Sequence, residues 1–200
     1  GLIREILAVD PDAEFAGVGG PEMEAAGCET WHSNERLAVM GIGEVLSKLI
    51  GLVRFRRQLR NRFLAWKPDI FVGIDSPDFN LGLEIMLRRR GVRTVHYVSP
   101  SLWAWRPRRI RKVKRAADLV LCLLPFETRP YDEHGIPARF VGHPLADRIP
   151  MDTDRQEARR ALGLEGDSPL VALMPGSRAS EVSALGDDFA AAANWLAGQE

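Results

Sequence analysis

Two hydrophobic rhythms alternate along this chain. Short continuous apolar runs predict buried strands, and longer stretches with apolar residues three and four apart predict helices. The runs predict strands over 14–18, 69–75, 92–98, 119–124, 140–141 and 170–174, with a further short strand at 36–40. The strand over 69–75 is the clearest, because Ile70, Phe71, Val72 and Ile74 leave almost no polar position. Helical spacing predicts helices over 1–9 (Leu2, Ile3, Ile6 and Leu7 on one side), 21–26, 42–65 with a break near Gly51, 79–90, 107–116, 126–134, 154–162 and 180–198. The stops agree with this division. Asp10-Pro11, Lys67-Pro68 and Gly135-Ile136-Pro137 end helices by removing donors or disfavouring helical backbone, and Gly27 and Gly91 supply glycine ends.

Strands alternating with helices predict an α/β fold built on a parallel sheet. The pattern restarts after the linker-like segment 145–154, which predicts a domain over 1–147 and the beginning of a second over 148–200. A chain that opens inside one helix and ends inside another is expected to be a piece of a longer protein. Composition narrows the class. With 46% apolar and 27% charged residues, and no apolar run long enough to cross a bilayer, the chain reads as a soluble globular protein without a signal peptide. Cys28 and Cys122 match neither a metal-ligand spacing nor a disulfide framework, which favours a reducing cytoplasm. The formal charge is zero but polarised. Residues 1–150 hold 23 basic and 18 acidic side chains, whereas residues 151–200 hold 4 and 9. Such asymmetry marks a basic half that meets an anionic partner: nucleic acid, phospholipid or a phosphorylated substrate.

Several segments carry candidate chemistry. GIDSPDFN (73–80) ends the clearest strand, and ligands of open parallel sheets bind beyond the carboxyl ends of strands. Asp75 sits at that edge, where it reads either as a general base or as a turn aspartate bonding to nearby N–H groups. Asp78 reads as a helix N-cap. LMPGSR (173–178) places Gly176 and Ser177 at a strand-to-helix turn with Arg178 beside them. That is either a phosphate-binding turn or an ordinary turn with a surface arginine. HYVSPSLWAWRPRR (96–109) sets Trp103 and Trp105 before a cationic helix, and seven of the ten residues 106–115 are Lys or Arg. Stacking on nucleic acid, contact with a sugar phosphate or lipid headgroup, and plain core packing all fit this segment. His96 reads as a satisfied strand histidine, and His143-Pro144 in FVGHPLAD (140–147) as a structural turn at the domain junction. From 42 to 63 the only acidic residue is Glu44, and Leu46, Leu49, Ile50 and Val53 mingle with Arg54 and Arg57. This helix can pack on its own sheet, dock on an anionic membrane, or do both. The glycines at 17–20 do not match a dinucleotide-binding fingerprint.

Taken in order and spacing, GVGGPEM (17–23), VMGIGEVL (39–46), PDIFVGIDSPDFN (68–80), HYVSPSLWAWRPRR (96–109), LPFE (124–127), FVGHPLAD (140–147) and LMPGSR with Glu181 resemble the lipid-A-disaccharide synthase family over essentially the whole chain. The resemblance implies a GT-B arrangement of Rossmann-like domains, represented here by the acceptor-side domain without its first strand and the start of the UDP-sugar-binding domain. It implies an inverting glycosyltransferase of Gram-negative bacteria, acting in lipopolysaccharide and lipid A biosynthesis. The enzyme would condense UDP-diacylglucosamine with lipid X to give lipid A disaccharide 1-phosphate and UDP, with no cofactor and no metal. Carried onto matching positions, Asp75 would be the general base. Gly176, Ser177 and Arg178 would hold the donor diphosphate, and Trp103, Trp105, Arg106 and Arg109 would contact the acceptor or lipid. Leu46, Leu49, Ile50, Val53, Arg54 and Arg57 would dock on the membrane. The location implied is cytoplasmic, peripheral on the inner face of the inner membrane, with no nucleic-acid partner and with a homodimer left open. The family's opening glycine-rich segment and its uracil- and ribose-binding residues have no counterpart in these 200 residues, so the piece alone is expected to lack transferase activity. The rival readings are another GT-B UDP-sugar enzyme, an epimerase or a different transferase, then a basic nucleic-acid-binding module, then a noncatalytic membrane-peripheral scaffold.

Overall fold

The structure is a computed structural model that describes residues 1–33, 45–100, 102, 109–164, 166, 168–177 and 179–198, with side chains for all of these except 45–50. The chain divides into two compact units, Gly1–Pro150 and Met151–Glu200. The expected strand at 36–40 lies outside the described residues.

In the first unit, α1 (Leu2–Val9) leads into β1 (Phe15–Gly19), the single turn α2 (Pro21–Glu24) and β2 (Cys28–Ser33). A long helix α3 (Val45–Trp66) precedes β3 (Ile70–Ile74), α4 (Pro77–Arg88) and β4 (Arg93–Tyr97). Then come α5 (Ile110–Ala116), β5 (Leu119–Cys122), a 3₁₀ turn at Pro125–Glu127, α6 (Arg129–Asp132) and β6 (Ala138–Phe140). β3, β4, β5 and β6 form a four-stranded parallel sheet in that order, and β1 and β2 form a parallel pair. Sequential parallel strands joined by helices are the Rossmann-like α/β arrangement, so the expected fold class holds.

β2 was not predicted, because CETWHS mixes polar and apolar positions without a clean period. Its strand character comes from pairing with β1, from Phe15 opposite Cys28 to Gly19 opposite Ser33. The expected break near Gly51 does not occur, and α3 runs through it. An interior glycine costs about 1 kcal/mol, and burial of Phe55, Leu59 and Phe63, at successive i+4 positions on one face, outweighs it. The helix expected over 79–90 starts at Pro77, whose fixed φ suits the first helical position. The helix expected over 126–134 is a 3₁₀ turn followed by the short α6. Glu127 draws the chain tight there by accepting the Leu123 and Leu124 N–H groups at 3.1 and 3.0 Å.

Two apolar clusters meet at α4. Phe79, Leu83 and Leu87 join Phe55, Leu59, Phe63 and Phe71 on the α3 side, with the Trp31 ring tilted against Phe63 at a centroid distance of 4.9 Å. Leu81 joins Ile110, Val113, Val120, Cys122 and Tyr131 on the α5 side. Hydrogen bonds fix the opposite ends of the sheet. At the amino end of β4, Asp118 accepts from the Thr94 N–H at 2.9 Å and from Arg88 at 2.7 Å. Beyond the carboxyl end, the Ser99 and Tyr131 hydroxyls share a buried bond of 2.8 Å, which anchors the loop that leaves β4. Ser99→Ala strands the buried phenol and is expected to destabilise the full-length protein by about 1–3 kcal/mol, against about 1 for Tyr131→Phe. Denaturant midpoints of the two variants would show the order.

In the second unit, α7 (Arg155–Ala161) is capped by Asp154, whose carboxylate accepts from the N–H groups of Gln156 at 2.8 Å and Glu157 at 3.1 Å. α8 (Ala179–Ala197) closes the chain. The strand expected at 170–174 is not formed. An extended segment becomes a strand only when a neighbour supplies hydrogen-bond partners, and none does so among the described residues. Leu170, Val171, Leu173 and Met174 are accordingly exposed.

Candidate active site at the carboxyl edge of the sheet

Strained backbone collects at the edge where β3 and β4 end, although Lys67 before β3 also has a positive φ of 58°. Asp75 and Ser76 both take left-handed backbone, with φ of 50° and 44°, and Val98 just past β4 has φ of 76°. A β-branched residue in that region is a clear outlier, and such residues cost about 1–3 kcal/mol each unless the surroundings impose them. Here the surroundings do. The Asp75 N–H donates to the Tyr97 carbonyl at 2.9 Å, and the Val98 N–H to the Leu121 carbonyl at 3.1 Å. Asn80 reaches back from α4 and donates to the Ile74 and Asp75 carbonyls at 3.0 and 2.7 Å. Asn80 therefore makes the side-chain bonds that hold this turn. The exposed Asp75 carboxylate makes no hydrogen bond among the described residues.

Asp78 is not the N-cap. That position falls on Ser76, and Asp78 lies in the first turn of α4. The reason is Pro77, which starts the helix earlier and frees the Asp78 carboxylate to take Arg109 at 2.6 Å. Arg56 of α3 approaches the same place. Its guanidinium donates to the Asp78 carbonyl at 3.0 Å, lies over the Phe79 ring at 5.2 Å, and fits against Gly82, where a Cβ would come within 2.7 Å of it.

Beneath this edge is a buried ion-pair position that the sequence did not disclose. His96 Nδ1 and Glu84 Oε1 are 2.7 Å apart, and both side chains are completely buried. Gly73, opposite His96 in the sheet, makes the space, since a Cβ there would overlap Glu84 Oε1. Burial pushes the Glu84 carboxyl up, and the bond and charge of His96, with Lys112, pull only part of the way back. His96, expected to be a satisfied strand histidine, is a buried strand histidine satisfied on one side only: Nδ1 meets Glu84, and the buried Nε2 has no partner among the described residues. Glu84 had no local signal, because nothing in NLGLEIML distinguishes a buried glutamate from a solvated one.

The other expected site residues are placed as follows. Val53, Arg54 and Arg57 lie on the exposed side of α3, while Leu46, Leu49 and Ile50 belong to its first turns with side chains outside the described residues. Trp103, Trp105 and Arg106 lie outside the described residues. Arg109 immediately precedes α5 (Ile110–Ala116), and the expected helix positions 107 and 108 lie outside the described residues. In the second unit Gly176 has φ of 145°, and the Ser177 N–H donates to Glu181 at 2.9 Å, so an internal carboxylate occupies this donor near the start of α8. Arg178 lies outside the described residues. His143 accepts from the Leu145 N–H at 3.1 Å, the bond of a structural turn. Both cysteines are buried and unpaired, and burial pushes the Cys122 thiol up to about 12. Among the described residues no group of three or more His, Cys, Asp or Glu is placed to hold a metal ion, and no helix is long and apolar enough to cross a membrane.

A Rossmann-like parallel sheet with an exposed carboxylate at its carboxyl edge defines an α/β domain of the class that binds ligands at that edge. The family model for lipid-A-disaccharide synthetase matches residues 1–199, and the chain belongs to that family. It is 56% identical over 196 residues to the lipid-A-disaccharide synthase of Xanthomonas campestris pv. campestris strain 8004, covering 98% of this chain and 44% of that protein. It is 55% identical over 199 residues to that of Pseudomonas putida strain GB-1, covering 100% of this chain and 53% of that protein. The chain thus spans about half the length of the curated relatives it matches.

Proposed function

We propose that the full-length protein is an inverting glycosyltransferase that condenses UDP-diacylglucosamine with lipid X, giving lipid A disaccharide 1-phosphate and UDP. The observation that carries this reading, beside family membership, is the Asp75 carboxylate: exposed, held at a left-handed strand end, and not used by its own turn. A base so placed can accept a proton from an incoming hydroxyl without first breaking a structural bond. Single displacement with inversion asks for one base and for stabilisation of the departing diphosphate. The second role falls to Gly176, Ser177 and Arg178, with the Ser177 N–H released by Glu181 when the anion enters. Residues 1–147 would form the acceptor-side domain and 148–200 the start of the donor-side domain. Trp103, Trp105, Arg106 and Arg109 would meet the acceptor.

The membrane half of the proposal rests on α3. Its Phe55, Leu59 and Phe63 face is spent on the core, so docking would use Leu46, Leu49, Ile50 and Val53, with Arg54 and Arg57 on anionic headgroups of the inner face of the inner membrane.

The test is a disaccharide assay with the full-length protein in detergent micelles, supplied with UDP-diacylglucosamine and lipid X. Formation of a tetraacyl disaccharide 1-phosphate with release of UDP is expected. Consumption of the UDP-sugar without disaccharide would point instead to another UDP-sugar reaction.

A further inference from the structure

Among the described residues, three cationic side chains from different parts of the chain gather near the start of α4, beside the exposed Asp78 carboxylate. Arg56 comes from the middle of α3, Arg109 from the turn before α5, and Lys112 from α5 itself, which packs on α4. The Asp78 carboxylate accepts from Arg109, and its backbone carbonyl accepts from Arg56. Glu84, the other acid nearby, is turned inward to His96. Among the described residues, the cationic groups here (Arg56, Arg109 and Lys112) outnumber the acidic ones that act on Lys112 (Asp78 and Glu84). Arg56 keeps a buried Nε with no partner, and Lys112, half-buried, makes no hydrogen bond among the described residues.

Like charges brought together inside a fold repel one another unless something anionic is meant to join them. Lys112 registers that repulsion. Burial first, then the Arg56 and Arg109 charges, hold its ammonium below the ordinary value, and Asp78 and Glu84 offset only part of this. The place is also built. Gly82 leaves room for the Arg56 guanidinium, Phe79 supports its face, and the Asp78 bond fixes Arg109. Asp78 follows Asp75 by three residues along the same strand-end turn, so the cluster belongs to the ligand-binding edge of the sheet.

We propose that Arg56, Arg109 and Lys112 form a subsite for a phosphate monoester, and that the phosphate it takes is the one carried by the acceptor sugar. This rests on the transferase reading above for the identity of the ligand. A monoester dianion matches the site better than a carboxylate does, because it offers acceptor oxygens in several directions to donors arriving from three elements. Holding the acceptor by its phosphate also fixes the distance from that group to the hydroxyl that Asp75 would deprotonate, which is the positioning that makes a two-substrate reaction fast.

The test is equilibrium binding of lipid X, and of the same diacylglucosamine with its phosphate removed, to the full-length protein in neutral detergent micelles. Lys112→Met keeps the aliphatic stem and removes the charge. It is expected to weaken lipid X binding about tenfold or more, the size of one charge-assisted contact, and to leave the dephosphorylated ligand unchanged. Lys112→Arg should restore most of the loss, which separates lost charge from lost folding. Lys114→Met removes a charge from the same helix at a side chain bonded to the His134 carbonyl, and should leave both ligands alone. Equal weakening of both ligands by Lys112→Met, no weakening of either, or weakening of UDP-sugar binding instead would overturn the subsite. Because binding is read without turnover, a wild type that binds lipid X through Lys112 but forms no disaccharide would keep the subsite and remove the transferase reading.

Discussion

Asp75→Asn in the full-length protein is expected to lower kcat about a hundredfold to ten-thousandfold, the usual contribution of a positioned general base, while donor and acceptor binding stay close to wild type. The amide keeps the size of the side chain and loses only the ability to take a proton. Nothing in the turn depends on the carboxylate, because Asn80 holds the Ile74 and Asp75 carbonyls and the Asp75 N–H is spent on Tyr97. The melting temperature should therefore hardly move. That combination, a large fall in kcat with preserved stability and binding, separates a base from a structural aspartate. A kcat within a few-fold of wild type would assign Asp75 to the architecture of the turn alone. Asn80→Ala offers the complementary result. It releases two carbonyls and lets a strained strand end relax, so it should lower both kcat and stability, whereas Asp75→Asn lowers only the first.

The second large effect is on stability. Glu84→Ala removes one member of a completely buried pair and leaves His96 with neither ring nitrogen satisfied, since Nε2 already lacks a partner. Breaking a buried pair from one side costs about 3–5 kcal/mol, a large part of the margin of an ordinary domain. Glu84→Gln keeps a hydrogen-bonding group in the same space and is expected to cost much less. The two variants also divide the pH dependence. Burial raises the Glu84 carboxyl in the folded protein, so its protonated form is the one the fold favours. The sign follows from linkage: stability tied to this group is fully present below its unfolded value and is lost as pH rises through the higher folded value. Wild type should therefore lose stability relative to Glu84→Gln as pH climbs from the ordinary carboxylate range toward that raised value. Chemical denaturation across this window would show the two curves diverging. Parallel curves would mean that the pair carries its charges at no net cost.

Much of this protein was readable from the order of its residues, and the reason is local. Strand β3 shows as IFVGI because its apolar run is unbroken between Asp69 and Asp75, although only Phe71 and Gly73 in it are buried and Ile70 and Ile74 stay exposed. Helix ends show at Lys67-Pro68 and Gly91 because proline and glycine act on their own backbone. The alternation of these elements was enough for a parallel α/β sheet, and the motifs GIDSPDFN and VSPSLWAW were enough for the family. Asp75 could be singled out because its position at a strand end is itself a sequence property.

What tertiary structure decided were the features that depend on a partner far along the chain. β2 exists because β1 lies beside it, and residues 170–174 form no strand because no described strand pairs with them, although their apolar content is the higher of the two. Gly51 stays within a helix because Phe55, Leu59 and Phe63 are buried against other elements. Asp78 turned from a cap into the partner of Arg109, 31 residues away. The basic run over 106–115 was visible in the sequence, but the pairing of Glu84 with His96 and the meeting of Arg109 and Lys112 with Arg56 were not. Charge and burial act through space, and hydrophobic period and turn chemistry act along the chain, so only the latter can be read from sequence alone.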